Sequence, residues 1–72
     1  MNEKDELFVQ KALYGVILER GNQCLSQASM RTGCGIKALE KAKDSLIKMG
    51  LIRKVKNQGN RGELYYSYEV NI

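Results

Sequence analysis

The hydrophobic period of the chain changes once, at Gly50, and that change divides it into a helical part and a sheet part. Ahead of Gly50 the apolar residues recur three and four apart. Asp5 to Arg20 reads as an amphipathic helix with Val9, Leu13, Val16 and Ile17 inward, and Phe8 and Ala12 widening the stripe. Asp5 and Glu6 suit the positive end of the helix dipole and Arg20 the negative end. Gly21 is placed for the left-handed residue that closes the helix. Lys11 and Tyr14 are expected toward solvent. Gly15, inside the helix, costs about 1 kcal/mol relative to alanine, and close approach of another backbone is its expected compensation.

Gln23 to Leu25 is long enough for a single extended rung. Ser26 is the expected N-cap of a brief helix reaching about Arg31, its hydroxyl accepting from a backbone N–H two or three residues on. Thr32-Gly33-Cys34-Gly35 breaks that helix, and a longer one follows from about Ile36 to Met49. Leu39, Ala42, Leu46 and Met49 form its inward stripe, with Lys37, Lys41, Lys43, Asp44 and Lys48 on the outer faces. Two helices joined by so short a turn cross steeply, as in a helix-turn-helix. Beyond Gly50, Leu51 to Lys56 is β-compatible, residues 57–62 form a turn, and Leu64 to Val70 alternates. Leu64, Tyr66, Tyr68 and Val70 fall on its inward face, leaving Tyr65 outward. The predicted order is helix, short strand, helix, helix, strand, strand, in one α+β domain over residues 1–72.

Composition narrows the function. Seventy-two residues allow one small core. Met1 to Glu6 carries three acids and one lysine, unlike a signal peptide, and no apolar run spans a membrane. The expected location is the cytoplasm, on the nucleoid if the source is bacterial. Without histidine the usual general base near neutral pH is missing, and Gly33-Cys34-Gly35 lacks the lysine and hydroxyl of a phosphate-binding loop. Cys24 and Cys34 are too few for a structural zinc shell, and in a reducing compartment they read as small buried apolar residues. No enzyme, cofactor, metal or small-molecule ligand is expected.

The net charge of +4 hides an asymmetry. Residues 31–61 carry Arg31, Lys37, Lys41, Lys43, Lys48, Arg53, Lys54, Lys56 and Arg61 against Glu40 and Asp44, a net +7, while residues 1–30 carry −1 and residues 62–72 carry −2. Positive charge gathered in the middle third attracts a polyanion.

In this order the chain resembles the winged helix-turn-helix DNA-binding domains, from about Asp5 to Val70. Small Ser29 stands in the first helix of the motif, Gly33 at the tight turn, and Cys34 at the apolar position after it. Leu39 and Ala42 supply the recognition-helix core, and Leu46-Ile47-Lys48-Met49-Gly50-Leu51-Ile52 matches the junction to the wing. Ala28 and Thr32 are smaller or more polar than the family pattern, Gly35 replaces a hydroxyl cap, and Lys43 stands where relatives carry an apolar residue. The small regulators and the phage or plasmid replication initiators of the family are the nearest in pattern.

The resemblance implies a duplex-DNA partner, with helix 36–49 entering the major groove by its N-terminal half. Lys37 and Lys41 would donate to guanine, Ala38 would touch a thymine methyl, and Asp44 or Glu40 would accept from cytosine, although pairing of Asp44 with Lys48 is the plainer role for that acid. Phosphate contacts fall to Ser26, Arg31 and Thr32 near the turn, to Lys48, and to Arg53, Lys54, Lys56, Asn60 and Arg61 on the wing. About six neutralised phosphates give a slope near −5 for log affinity against log salt. One module buries roughly 600–1,000 Å² on DNA, so homodimerisation through the first helix would help. Other members of this fold bind proteins instead, which is the competing class. If the chain is complete, the DNA-binding module is the whole protein.

Overall fold

A computed structural model describes residues 3–72; Met1 and Asn2, which open the acidic first segment, lie outside the described residues. Three helices, α1 (Glu3–Arg20), α2 (Leu25–Thr32) and α3 (Ile36–Lys48), precede two strands, β1 (Ile52–Gln58) and β2 (Leu64–Val70). The expected rung between α1 and α2 is present at Gln23 alone, since Leu25 already begins α2. Gln23 donates its N–H to the Tyr68 carbonyl at 3.0 Å and accepts from the Tyr68 N–H at 2.8 Å. The strand β2 therefore lies between Gln23 and its antiparallel partner β1, giving an α+β, winged-helix-like topology.

The core is built by the i, i+4 spacing of α1. Val9, Leu13 and Ile17 are buried, and they meet Ala28 of α2, Leu39, Ala42 and Leu46 of α3, Ile52 of β1 and Tyr68 of β2. Phe8 departs from the expected stripe. It is 67% exposed because its position on the helix turns away from this core. Ala12 and Val16 are half-buried, and Tyr14 packs against the core rather than lying in solvent. The expected backbone neighbour of Gly15 is not there: nothing lies within 4 Å of where its Cβ would be. Its helical cost stands without compensation inside this chain.

The start of α2 also differs. Cys24, not Ser26, is the N-cap, and Gln27 caps it by accepting the Cys24 N–H on Oε1 at 2.9 Å. The cause lies one residue upstream. The Gln23 backbone is committed to β2, so the Cys24 carbonyl is the first one free to accept from the helix, at 3.0 Å from the Ala28 N–H. Both cysteines are free thiols and half-buried rather than fully enclosed.

The turn between α2 and α3 is held by two hydroxyls. Ser29 Oγ donates to the Cys34 carbonyl at 2.7 Å. Thr32 Oγ1 donates to the Ala28 carbonyl at 2.7 Å and accepts the Cys34 N–H at 3.1 Å. At the far end of α3, Gly50 adopts φ +77°, and the Leu51 N–H reaches back to the Leu46 carbonyl at 3.0 Å. That is a Schellman closure, which needs the left-handed residue glycine supplies. Met49, expected inward, is the C-cap of α3 and is exposed at a groove beside Leu7, Tyr14 and Leu51.

The hairpin is longer than its sequence implies. Ladder pairing continues to Gln58 opposite Leu64, two residues past Lys56, which shortens the turn to residues 59–63. At the tip, the Gly59 N–H donates to the Glu63 carbonyl at 2.7 Å and the Arg61 N–H to Glu63 Oε2 at 3.1 Å. A Cβ on Gly59 would collide with the Glu63 side chain. Burial along β2 follows depth rather than face. Ser67 and Tyr68 point to opposite faces and both are buried, whereas Leu64, Tyr65 and Tyr66 are all exposed. The base of the hairpin is covered on both sides, while its outer half projects past the helices and is wet on both.

Candidate nucleic-acid interface

The face opposite the Leu39, Ala42 and Leu46 stripe of α3 carries Lys37, Lys41, Asp44 and Lys48, all exposed, as helical spacing dictates. One flank of α3 faces α1: Ala38, Lys41 and Ser45 border a groove with Glu6 and Gln10. Ala38 is half-buried there, against the core. The other flank faces the wing. Lys43, expected on the outer face, is instead half-buried, with its ammonium 5.8 Å from the centroid of the Tyr68 ring. It lies one helical turn beyond Leu39, at the margin of the core stripe. A lysine there buries its stem and keeps its head at the edge.

The ladder register fixes which wing residues share the face used by Tyr68. Lys54 pairs with Tyr68 and Lys56 with Tyr66, so Lys54, Lys56 and Tyr66 continue outward on the face that meets α3 at Lys43. The Lys54 ammonium sits 4.0 Å from the Tyr66 ring centroid, a cation–π contact between diagonal neighbours. Tyr66, expected to be buried, is 46% exposed at this position. Arg53 belongs to the other face of the sheet, where it is ion-paired with Glu69, its Nε donating to Oε1 at 2.6 Å. That face also carries Asn57, whose amide donates to Ser67 Oγ at 2.6 Å.

Two of the nine cations in residues 31–61 are thus engaged with acids: Arg53 with Glu69, and Lys43 with Asp44 at 2.7 Å. The pairing of Asp44 with Lys48, expected one turn on, is replaced by this contact with its sequence neighbour. Arg31, Lys37, Lys41, Lys48, Lys54, Lys56 and Arg61 are exposed. Ser26 is exposed in the first turn of α2 and Asn60 at the wing tip. Thr32 is half-buried, its hydroxyl engaged in the turn. Sequence reasoning missed two residues of this surface. Ile36 is exposed at the N-terminal end of α3, and Tyr66 is exposed beside Lys54. The signal for Ile36 was its place three residues ahead of Leu39, on the Lys43 flank.

The Lys43 hydrogen bond to Asp44 raises the ammonium pKa above its ordinary 10.5, against partial desolvation, which lowers it. Burial raises the Tyr68 phenol above its ordinary 10.0, against the Lys43 charge, which lowers it. Both groups hold their protons more tightly in the folded chain. Their contribution to stability is therefore complete below the unfolded values and is lost as pH rises through the folded ones. Melting temperatures followed into strong alkali should be insensitive to these groups below pH 10.0 and fall above it. Tyr68→Phe should remove the tyrosine share of that fall; a melting temperature that climbs over the same interval contradicts the pairing.

Among the described residues, no group of three or more histidine, cysteine, aspartate and glutamate side chains could hold a metal ion, and no helix is long and apolar enough to cross a membrane. Comparison of the chain with protein-family models and with curated proteins finds no match to either.

Proposed function

We propose that the protein binds double-stranded DNA, with α3 in the major groove and the wing along the adjacent backbone. One observation carries the reading. The sheet face bearing Lys54 and Lys56 is the face on which Tyr68 meets α3 at Lys43, so the wing lysines continue outward from the side of the hairpin that packs on the lysine-bearing helix. A helix of α-helical diameter fits the major groove, where base edges distinguish all four pairs, while cations beside it neutralise phosphates.

In this reading Lys37 and Lys41 reach base edges, with Ala38 and Ile36 beside them, and Asp44 serves to hold Lys43. Lys48, Lys54, Lys56 and Arg61 contact phosphates, with Arg31, Ser26 and Asn60 at the margins. Thr32 holds the turn, and Arg53 stays with Glu69 on the far face. Control of transcription by a small regulator is the role this architecture fits best, acting in the cytoplasm without a cofactor; a part in phage or plasmid replication uses the same surface.

Fluorescence anisotropy of a labelled mixed-sequence duplex at low ionic strength tests the reading. Saturable binding that weakens steeply with salt is expected. An unchanged signal up to the highest soluble protein concentration overturns it and favours a protein partner for the same face.

A further inference from the structure

Helix α1 carries apolar side chains on every side. Val9, Leu13 and Ile17 fill its own core, yet Leu7, Phe8 and Leu18 stand in solvent at 51%, 67% and 56% exposure. Helical spacing places them, with Lys4, Lys11 and Gly15, on the side away from that core. Leu7, Phe8 and Leu18 thus set apolar surface open to solvent among the charged residues of the outer side. The apolar band continues onto both neighbours. One groove joins Val16 and Glu19 to Met30 of α2, which is 85% exposed. The other joins Leu7, Lys11 and Tyr14 to Met49 and Leu51.

We propose that this face is a homodimer interface, in which α1 packs antiparallel against α1 of a second copy. The choice of a second copy rests on the pattern of the face. Leu7, Lys11, Tyr14 and Leu18 are spaced four, three and four residues apart, so the spacing reads the same from either end, with a leucine at each. A twofold contact uses one patch on both partners and requires such self-complementarity. With the twofold axis passing between Ala12 and Leu13, Leu7 meets Leu18 of the second copy and Lys11 meets its Tyr14 ring. Two residues off that level, about 3 Å along the helix axis, Phe8 lies beside Gly15 of the second copy, where the missing side chain leaves room for a ring. The same offset sets Lys4 beside Glu19, an opposite-charge pair made twice across the axis.

Charge and area agree with this occupant. The formal charges of α1 sum to −1, against +7 for residues 31–61, so pairing through α1 avoids bringing the two cationic regions together. The exposed parts of Leu7, Phe8, Leu18, Met30, Met49 and Leu51 amount to roughly 600 Å² per copy, on the scale of the ~800 Å² each partner contributes to a standard interface.

Sedimentation of the purified chain without DNA tests the proposal. The mass should rise with concentration from 8.2 kDa to twice that value. Phe8→Glu and Leu18→Glu should each hold the chain at the monomer mass while leaving its helical circular dichroism unchanged. Lys4→Glu and Glu19→Lys should each weaken the dimer several-fold, and the double variant should restore it. A monomer at every concentration overturns the proposal, as does a dimer that Phe8→Glu and Leu18→Glu leave intact; charge variants that do not compensate overturn the register. Because no DNA takes part, failure here leaves the duplex-binding reading standing, and loss of duplex binding leaves the dimer standing.

Discussion

Replacing Lys37 and Lys41 together with alanine should abolish discrimination between duplex sequences, whereas replacing Lys54 and Lys56 should weaken every duplex alike. The two pairs differ in what they can reach. Lys37 and Lys41 are one turn apart on the outer face of α3, exposed and near its N-terminal end. Each well-placed base contact is worth about 1–3 kcal/mol of discrimination, so losing both removes a factor on the order of 100 in sequence preference. Lys54 and Lys56 are exposed on the strand, where in the proposed complex they would meet the phosphodiester backbone and read no bases. Each phosphate contact contributes about 0.9 to the slope of log affinity against log salt, so the double wing variant should flatten that slope by about 2. Competition titrations over several salt concentrations separate the two outcomes. Equal loss of preference from both pairs contradicts the division of labour.

The second large effect concerns the scaffold. Leu39 is fully buried where α3 meets α1, and it anchors the helix that carries Lys37 and Lys41. Leu39→Ala should cost about 2–5 kcal/mol, the range for truncating an enclosed leucine whose surroundings relax only in part. A domain of this length has on the order of 4–11 kcal/mol in total, so the variant should lose a large share of its stability. Urea unfolding checks this through the midpoint. A loss below about 1 kcal/mol would show that the site collapses around the smaller side chain.

The architecture was legible because its signals are local and periodic. The 3.6-residue spacing of Val9, Leu13 and Ile17 located α1, and Gly50 marked the change to strands. Gly33 marked the turn ahead of α3. Alternation in β2 gave the face of each residue but not its depth. Tyr66 and Tyr68 share a face, yet only Tyr68 lies deep enough in the molecule to be covered. The start of α2 was misplaced for a related reason. Ser26 is the better cap by propensity, but the bridge from Gln23 to Tyr68 fixes the chain one step earlier. Phe8 misled because a large apolar residue near the core stripe is read as part of it, whereas it faces the far side.

Within the candidate site, residue type was informative and partnership was not. Lysines on the outer face of α3 follow from spacing alone. That Arg53 answers Glu69 depends on the hairpin register, which brings together two residues sixteen positions apart in the chain. Lys43 is the sharpest case. Its sequence position implies an apolar partner for the core, and its stem takes that place beside Tyr68 while Asp44 holds its charge. The same residue marks the seam between helix and wing.

The central claim is that α3 and the wing engage one duplex at the same time. The most direct measurement is the change in amide chemical shifts of nitrogen-15-labelled protein as a short duplex is added. Perturbations should gather at Ile36, Lys37 and Lys41 and at Lys54, Lys56 and Tyr66, saturating together. Shifts confined to one of these elements, or centred on Arg53 and Glu69 across the sheet, would contradict it.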